Sequence, residues 1–116
     1  MALLFPGPGY DDTRIRPWNG ANTHARDGGA YYEAMWREAL ALRPHAVSIT
    51  SYNEWGEGTQ IEPARPHTTA DGTAYLDYGA EHGLYLRLTS RWAARAAALR
   101  AHPPAGSGRE SWREEL

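Results

Sequence analysis

The sequence predicts an α/β fold of parallel strands with helices packed outside them, on three observations. Two short runs, Ala2–Phe5 and Ala46–Ser51, have the apolar or β-branched character of strands. Two longer segments place apolar residues at helical spacing. The order is strand, long loop, helix, strand, long loop, helix, and a repeated β-α order implies parallel pairing.

Residues Ala2–Phe5 form the first strand. "PGPGY" ends it, because proline and glycine do not continue a ladder. The polar stretch "DDTRIRPWNGANTHARDGG" is longer than most structureless loops, which marks it as functional or disordered. Asp27 with Gly28-Gly29 offers a helix start. In "AYYEAMWREALAL", Tyr32, Trp36, Ala39 and Leu40 share one face. Arg43 is placed to cap the helix end favourably, and Pro44 stops the helix. A strand from about Ala46 to Ser51 follows, then a second long loop from Asn53 to Gly83. The last helix, "LYLRLTSRWAARAAALRAH", aligns Leu84, Leu88, Trp92, Ala96 and Leu99, and Pro103-Pro104 ends it. Residues 102–116 read as a flexible polar tail. Two strands make a poor sheet alone, so the sequence reads as part of something larger.

Composition narrows the function classes. At 116 residues, with 41% hydrophobic and 11% aromatic content, the chain is not of disordered composition. Five tryptophans and seven tyrosines stand against one phenylalanine. That skew suits sugar-lined clefts, though it serves core and rim packing equally well. A net charge of −2 argues against a nucleic-acid partner held through phosphates. With no cysteine there is no disulfide, thiolate metal site or cysteine nucleophile. No stretch approaches the roughly 20 apolar residues of a membrane span. The opening apolar run before Pro6 is shorter than the ~7–15 residues of a signal peptide core. The compartment stays open.

"SITSYNEWGEGTQIEP", residues 48–63, carries the chemistry. On a continuing strand Glu54 and Glu57 would face opposite sides. A bend after Tyr52, eased by Gly56 and Gly58, would bring them to one side, at the ~5–6 Å of neighbours on a helix surface. Carboxylates about 5–5.5 Å apart are the working pair of retaining glycosidases. Like charges that close push one group up, leaving one acid and one base. The plainer alternative is that Asn53 and Glu54 satisfy a turn, Glu57 caps backbone amides, and Trp55 plugs a hydrophobic gap. Spacing alone leaves both open.

The stretch "SITSYNEWGEGTQIEPA" closely resembles the signature of glycoside hydrolase family 99, the endo-α-1,2-mannosidases, commonly "SITSFNEWHEGTQIE". "GPGYDDTRIRPWN", "YYE", "RP", "YLDY" and "LYLRLTSRW" resemble the same family in the same order, over about Gly7 to Trp92. The resemblance implies a (β/α)8 barrel, of which residues 1–101 would be the C-terminal part, its last two β-α units; such barrels need about 250 residues. It implies a retaining endo-α-1,2-mannosidase without a protein nucleophile. Glu54 would be the general base that deprotonates the sugar's own 2-hydroxyl, giving a 1,2-anhydro sugar. Glu57 would be the general acid/base. Asn53 and Arg16 would bind substrate, with Tyr10, Trp18 and Trp55 as weaker aromatic candidates. The implied partner is an α-mannosyl oligosaccharide or N-glycan, together with the missing N-terminal part of the barrel. The implied compartment of a eukaryotic member is the Golgi lumen. Gly56 departs from the family's common histidine, which suggests a change in a sugar subsite rather than loss of chemistry.

No cofactor or metal is expected. His24, His45, His67, His82 and His102 are scattered without HxxxH or HExxH spacing. "GPGY" lacks the pattern of a phosphate cradle. Asp11-Asp12 could bind a cation but more often order a turn. A second class of reading stands beside the enzyme: a truncated, non-catalytic product that binds sugar weakly or packs against a partner. The paired glutamates favour an enzyme lineage; the missing barrel favours inactivity of these residues alone.

Overall fold

A computed structural model describes residues 2–103 and residue 105. Strand β1 (Leu3–Leu4) pairs in parallel with β2 (Ala46–Val47), Leu3 opposite Ala46 and Leu4 opposite Val47. Each strand leads through a long loop into a helix: α1 (Ala30–Ala41) and α2 (Leu84–Ala101). The β-α-β-α order and the parallel pairing are as the sequence predicts.

Both strands are shorter than expected. The cause lies in Pro6, which has no N–H to return a ladder bond. Single bonds prolong the alignment: His45 N–H to the Ala2 carbonyl (3.0 Å), Ser48 to Leu4 (2.9 Å) and Thr50 to Pro6 (3.3 Å). The second strand thus runs beside the first as far as Thr50 without regular pairing.

The first long loop holds two 3-10 turns, Pro17–Asn22 and Asp27–Gly29. Asp27–Gly29 delivers the chain into α1, with Gly29 at the helix N-cap and no side-chain cap bond. Gly29 has φ +101°, and a Cβ there would lie 2.9 Å from Leu88 Cδ1. Gly29→Ala should therefore combine left-handed backbone strain with overpacking, lowering stability by about 2–3 kcal/mol. Urea unfolding checks this; a midpoint equal to the parent's would mean that Leu88 simply moves aside.

Helix α1 buries Tyr32, Trp36, Ala39 and Leu40, the face its spacing predicts. Its end differs from expectation. Arg43 lies beyond the last turn, at φ +48°, and its N–H closes on the Leu40 carbonyl (3.0 Å). This is the left-handed position where glycine is favoured, so Arg43 ends the helix by backbone geometry and not by its charge.

Helix α2 buries Tyr85, Leu88 and Trp92, with Leu84 and Ala96 partly covered. Two expectations are corrected here. Tyr85 is a core residue that the predicted stripe omitted. Leu99, placed on that stripe, is 37% exposed. Helix α1 stops at Ala41, and Leu99 looks into a groove it shares with Leu40, Pro44, Val47 and Ala96. The core is aromatic: Trp36 and Trp92 stack at 6.4 Å, and Tyr85 packs against Tyr32 (5.6 Å) and Tyr78 (4.6 Å). Tyr32 and Thr89 hydroxyls share a hydrogen bond of 2.8 Å, and Glu33 pairs with Arg91 across the helices. Ile61, from the second loop, completes the cluster. Among the described residues no helix is long and apolar enough to cross a membrane. The tail expected over residues 102–116 lies, from residue 106 on, outside the described residues.

Candidate active site

The bend expected after Tyr52 is present as a closed loop at the carboxyl end of the second strand. Its neck is tied by backbone bonds: Ser51 N–H to the Thr59 carbonyl (2.9 Å), Ile61 to Ser51 (3.1 Å) and Glu62 to Tyr52 (2.8 Å). The Ser51 and Thr59 hydroxyls bond each other at 2.8 Å, and Ser51 Oγ accepts the Glu54 N–H at 2.9 Å. The tip turns through Trp55–Gly58, where the Gly58 N–H reaches the Trp55 carbonyl at 3.2 Å. Asn53, Glu54 and Glu57 all stand on this loop. Asn53 and Glu54 are exposed, and the Glu57 side chain is 36% exposed. The Glu54 carboxylate accepts the Gly56 N–H at 3.2 Å, and a Cβ at residue 56 would approach that same oxygen within 3.1 Å. A side chain at position 56 would therefore crowd Glu54 directly.

Trp55 is partly buried. Its indole N–H donates to Glu62 (2.9 Å) and its ring meets Tyr75 edge-on at 6.1 Å. Glu62, which the sequence reading left out, fixes this ring. Residues Thr59, Gln60 and Ile61 of the same signature are buried. The Gln60 amide donates to the Leu76 carbonyl at 2.8 Å.

The first loop supplies the opposite wall. Tyr10 and His24 exchange backbone bonds (2.9 and 2.8 Å), closing residues 10–24 into a unit. At its centre is Asp12, fully buried. Its carboxylate accepts the Tyr10 hydroxyl (2.9 Å), Arg16 Nη1 (2.8 Å) and the Asn19 amide (2.9 and 3.1 Å). Arg16 foremost, then Asn19 and Tyr10, holds the Asp12 carboxyl below the ordinary carboxylate range, while burial pushes the other way. The hydrogen bond to Asp12 in turn raises the Tyr10 phenol. Of the two readings of Asp11-Asp12, the turn is the one seen: Asp11 accepts the Thr13 N–H (3.0 Å) and hydroxyl (2.6 Å). Trp18 lies on the 3-10 turn at 81% exposure and touches none of this network.

The walls meet at Glu57. Its carbonyl accepts the Asp11 N–H at 2.9 Å, and its carboxylate lies 3.8 Å from Arg16 Nη1. The approach requires glycine next door: Gly58 has φ +62°, and a Cβ there would sit 2.8 Å from the Asp11 carbonyl oxygen. The structure thus brings Arg16 and Tyr10 to the glutamate loop and leaves Trp18 apart from it.

Arg26 supports the loop from below. Its Nη2 donates to the carbonyls of Gly58 (2.9 Å) and Gln60 (2.8 Å), and its guanidinium lies over the rings of Tyr78 (5.0 Å) and Tyr85 (4.6 Å). The Tyr78 hydroxyl is shared between the carbonyls of Gln60 (2.8 Å) and Glu62 (2.9 Å). Burial pushes the Tyr78 phenol up to about 12, with Arg26 pulling the other way. A phenol whose folded value exceeds its unfolded value of about 10 contributes fully below pH ~10, and that contribution is lost as pH rises towards ~12. Tyr78 alone should lower stability by about 1–2 kcal/mol across that window, discounted because the ring is only half-buried. Burial raises Tyr85 and Tyr32 in the same direction. Urea unfolding from about pH 9 to about pH 12 measures the fall. Tyr78→Phe should flatten it, and an unchanged slope in that variant would assign the fall to other groups.

Among the described residues, no group of three or more histidines and carboxylates comes together as a metal site would require. What the site holds is two accessible carboxylates on one loop, with a guanidinium and the Tyr10 phenol near one of them. Paired carboxylates of this kind are the groups that glycoside hydrolases use for acid-base chemistry.

The family model described as glycosyl hydrolase family 99 matches residues 2–98, and the chain belongs to that family. It is 59% identical over 94 residues to a mouse glycoprotein endo-alpha-1,2-mannosidase-like protein, covering 80% of this chain and 21% of the relative. It is 54% identical over 93 residues to the mouse glycoprotein endo-alpha-1,2-mannosidase, covering 79% and 20%. The solved GH99 endo-alpha-mannosidase from Bacteroides thetaiotaomicron superposes with a TM-score of 0.80 at 44% identity, over 86% of this chain and 29% of that one. The chain therefore spans about a fifth of the length of the curated relatives it matches.

Proposed function

We propose that this chain carries the catalytic pair of an endo-α-1,2-mannosidase that cleaves inside α-mannose-containing glycans with net retention. We further propose that its two β-α units are the last two of a (β/α)8 barrel, with Glu54 and Glu57 at the carboxyl ends of the strands, where such barrels keep their chemistry. The observation that carries the reading is the closed loop 51–62. It offers both carboxylates to solvent on one turn and sets Arg16 3.8 Å from Glu57. The first loop docks on it through the Asp11 N–H, 2.9 Å from the Glu57 carbonyl oxygen, and through Arg16, which the buried Asp12 holds.

In the proposed reaction Glu54 takes the proton from the sugar 2-hydroxyl. That oxygen attacks the anomeric carbon while Glu57 protonates the departing oxygen. Glu57 then activates water to open the 1,2-anhydro sugar, so two displacements at one carbon restore the starting configuration. Asn53 and Arg16 present donors to the sugar hydroxyls, and Tyr10 and Trp55 border the cleft. Trp18, exposed on its turn, is free to meet sugar further out. Side chains from the rest of the barrel complete the subsites, so these 116 residues alone are expected to be inactive. The substrate class is an α-mannosyl oligosaccharide such as an N-glycan.

The test is hydrolysis of an α-1,2-linked mannosyl oligosaccharide by a polypeptide that joins these residues to the rest of the barrel, followed by proton NMR. The α-anomer should form first. First formation of the β-anomer, or no endo cleavage by the folded protein, would refute the proposal.

A further inference from the structure

Asp12 and Glu57 never touch, yet both engage the same nitrogen. Arg16 Nη1 is 2.8 Å from Asp12 Oδ2 and 3.8 Å from Glu57 Oε1. The shorter contact is to a fully buried carboxylate, and the longer one is to a partly exposed carboxylate. From this geometry we infer that Asp12 is a positioning residue for Glu57: it binds Arg16, neutralises most of its charge, and holds the guanidinium just short of direct contact with the Glu57 carboxylate. The inference rests on the proposed role of Glu57 as proton donor.

The physical reason is a conflict of demands. A guanidinium beside the reacting centre is useful for holding sugar hydroxyls. An unmatched cation against a general acid, however, favours the carboxylate and strips the proton it must deliver. A buried counter-carboxylate resolves the conflict, because the Asp12–Arg16 pair presents Glu57 with nearly no net charge. The hub is over-determined for this task. Tyr10, Asn19 and Arg16 all donate to Asp12, so its oxygens are fully engaged and Arg16 cannot swing freely. Asp11, next along the chain, ties the same loop to the Glu57 carbonyl at 2.9 Å, which fixes the separation.

The charged and titratable groups near Glu57 are few. The first loop contributes Tyr10, Asp11, Asp12 and Arg16, its own loop contributes Glu54, and Glu62 and Tyr75 lie beyond Trp55. Arg16 is the cation within salt-bridge reach of it.

The experiment is a carbon-13 carboxyl NMR titration of Glu57 in the 116-residue chain, parent against Asp12→Asn. Asparagine keeps the shape and removes the charge. The Glu57 midpoint should fall by about 0.5–1 unit, because Arg16 is then unmatched. In the double variant Asp12→Asn/Arg16→Gln the midpoint should return to within about 0.3 unit of the parent. If Asp12→Asn does not fold, Arg16→Gln is the second variant, since the Arg16 side chain is half-exposed. There the buried Asp12 becomes the unmatched charge and the pull of the guanidinium is gone, so the Glu57 midpoint should rise by about 0.5–1 unit. An unmoved midpoint in folded Asp12→Asn or in folded Arg16→Gln would overturn the inference. In the complete enzyme the basic limb of the rate profile should move with the same sign as the NMR midpoint. Failure of that limb to move while the NMR midpoint does would refute the catalytic role of Glu57 and leave the electrostatic coupling intact.

Discussion

Glu54→Gln and Glu57→Gln should both cripple the complete enzyme, and they should respond oppositely to the leaving group. Each amide keeps the shape of the loop and removes a proton acceptor or donor. General acid-base catalysis contributes about 10²–10⁴-fold, so each variant should lose that much in kcat/KM on an α-1,2-linked oligosaccharide. The oxygen leaving a sugar needs a proton, whereas an activated aryl leaving group does not. Glu57→Gln should thus recover most of its first-step rate on a dinitrophenyl substrate, seen as a burst of phenolate followed by slow turnover. Glu54→Gln should not recover, because the 2-hydroxyl must lose its proton whatever departs. Equal recovery in both variants would mean that the two roles are not divided in this way. Loss of less than tenfold in either would remove that residue from the mechanism. The loop should survive both changes, since its neck is tied by backbone bonds and by Ser51 and Thr59 and not by the two carboxylates.

Arg26→Met should produce the largest loss of stability among single changes near the site. Two carbonyls, those of Gly58 and Gln60, would lose a charged donor at 2.9 and 2.8 Å. Hydrogen bonds to charged groups are worth about 1.5–3 kcal/mol, and cation–π contacts such as those with Tyr78 and Tyr85 add about 0.5–2 kcal/mol. Methionine restores some apolar contact over the rings, so a net loss of about 3–4 kcal/mol is expected. That is a large share of the ~5–15 kcal/mol of a typical domain. Arg26→Lys should rescue only part of the loss, because one ammonium can serve the two carbonyls that Nη2 serves but lacks the planar group that lies over Tyr78 and Tyr85. Urea unfolding with tryptophan fluorescence measures the effect. A loss below ~1 kcal/mol would show that water replaces the guanidinium without penalty.

Much of the architecture was legible in the sequence. The α1 face, Tyr32-Trp36-Ala39-Leu40, was read correctly because its spacing is a local property of one helix. On α2 the same reasoning found Leu88 and Trp92 but passed over Tyr85 and overextended to Leu99. Both errors have one cause. What covers a helix face depends on its neighbours: Tyr78 and Arg26 reach over Tyr85 from the long loops, and α1 ends before it can shelter Leu99. The second strand was read four residues too long because β-branched residues at 49 and 50 fit a strand, while the missing donor lay just past the end of the other strand, at Pro6.

For the site, the sequence by itself determined the order of elements, the bend after Tyr52 and the presence of Glu54 and Glu57 upon it. These follow from short-range steric preference and from the residues' own chemistry. The roles proposed for them come from the resemblance to the family. Only the tertiary structure decided that Asp12 is a buried hub, that Glu62 holds Trp55, and that Arg26 props the loop from residues 32 and 34 positions away. Nothing in "HARDGG" or "GYDDTR" distinguishes a keystone from a solvated charge. A polar side chain becomes a fixture only where donors and acceptors from distant segments converge out of water. That convergence is set by the packing of the whole chain, which no local spacing records.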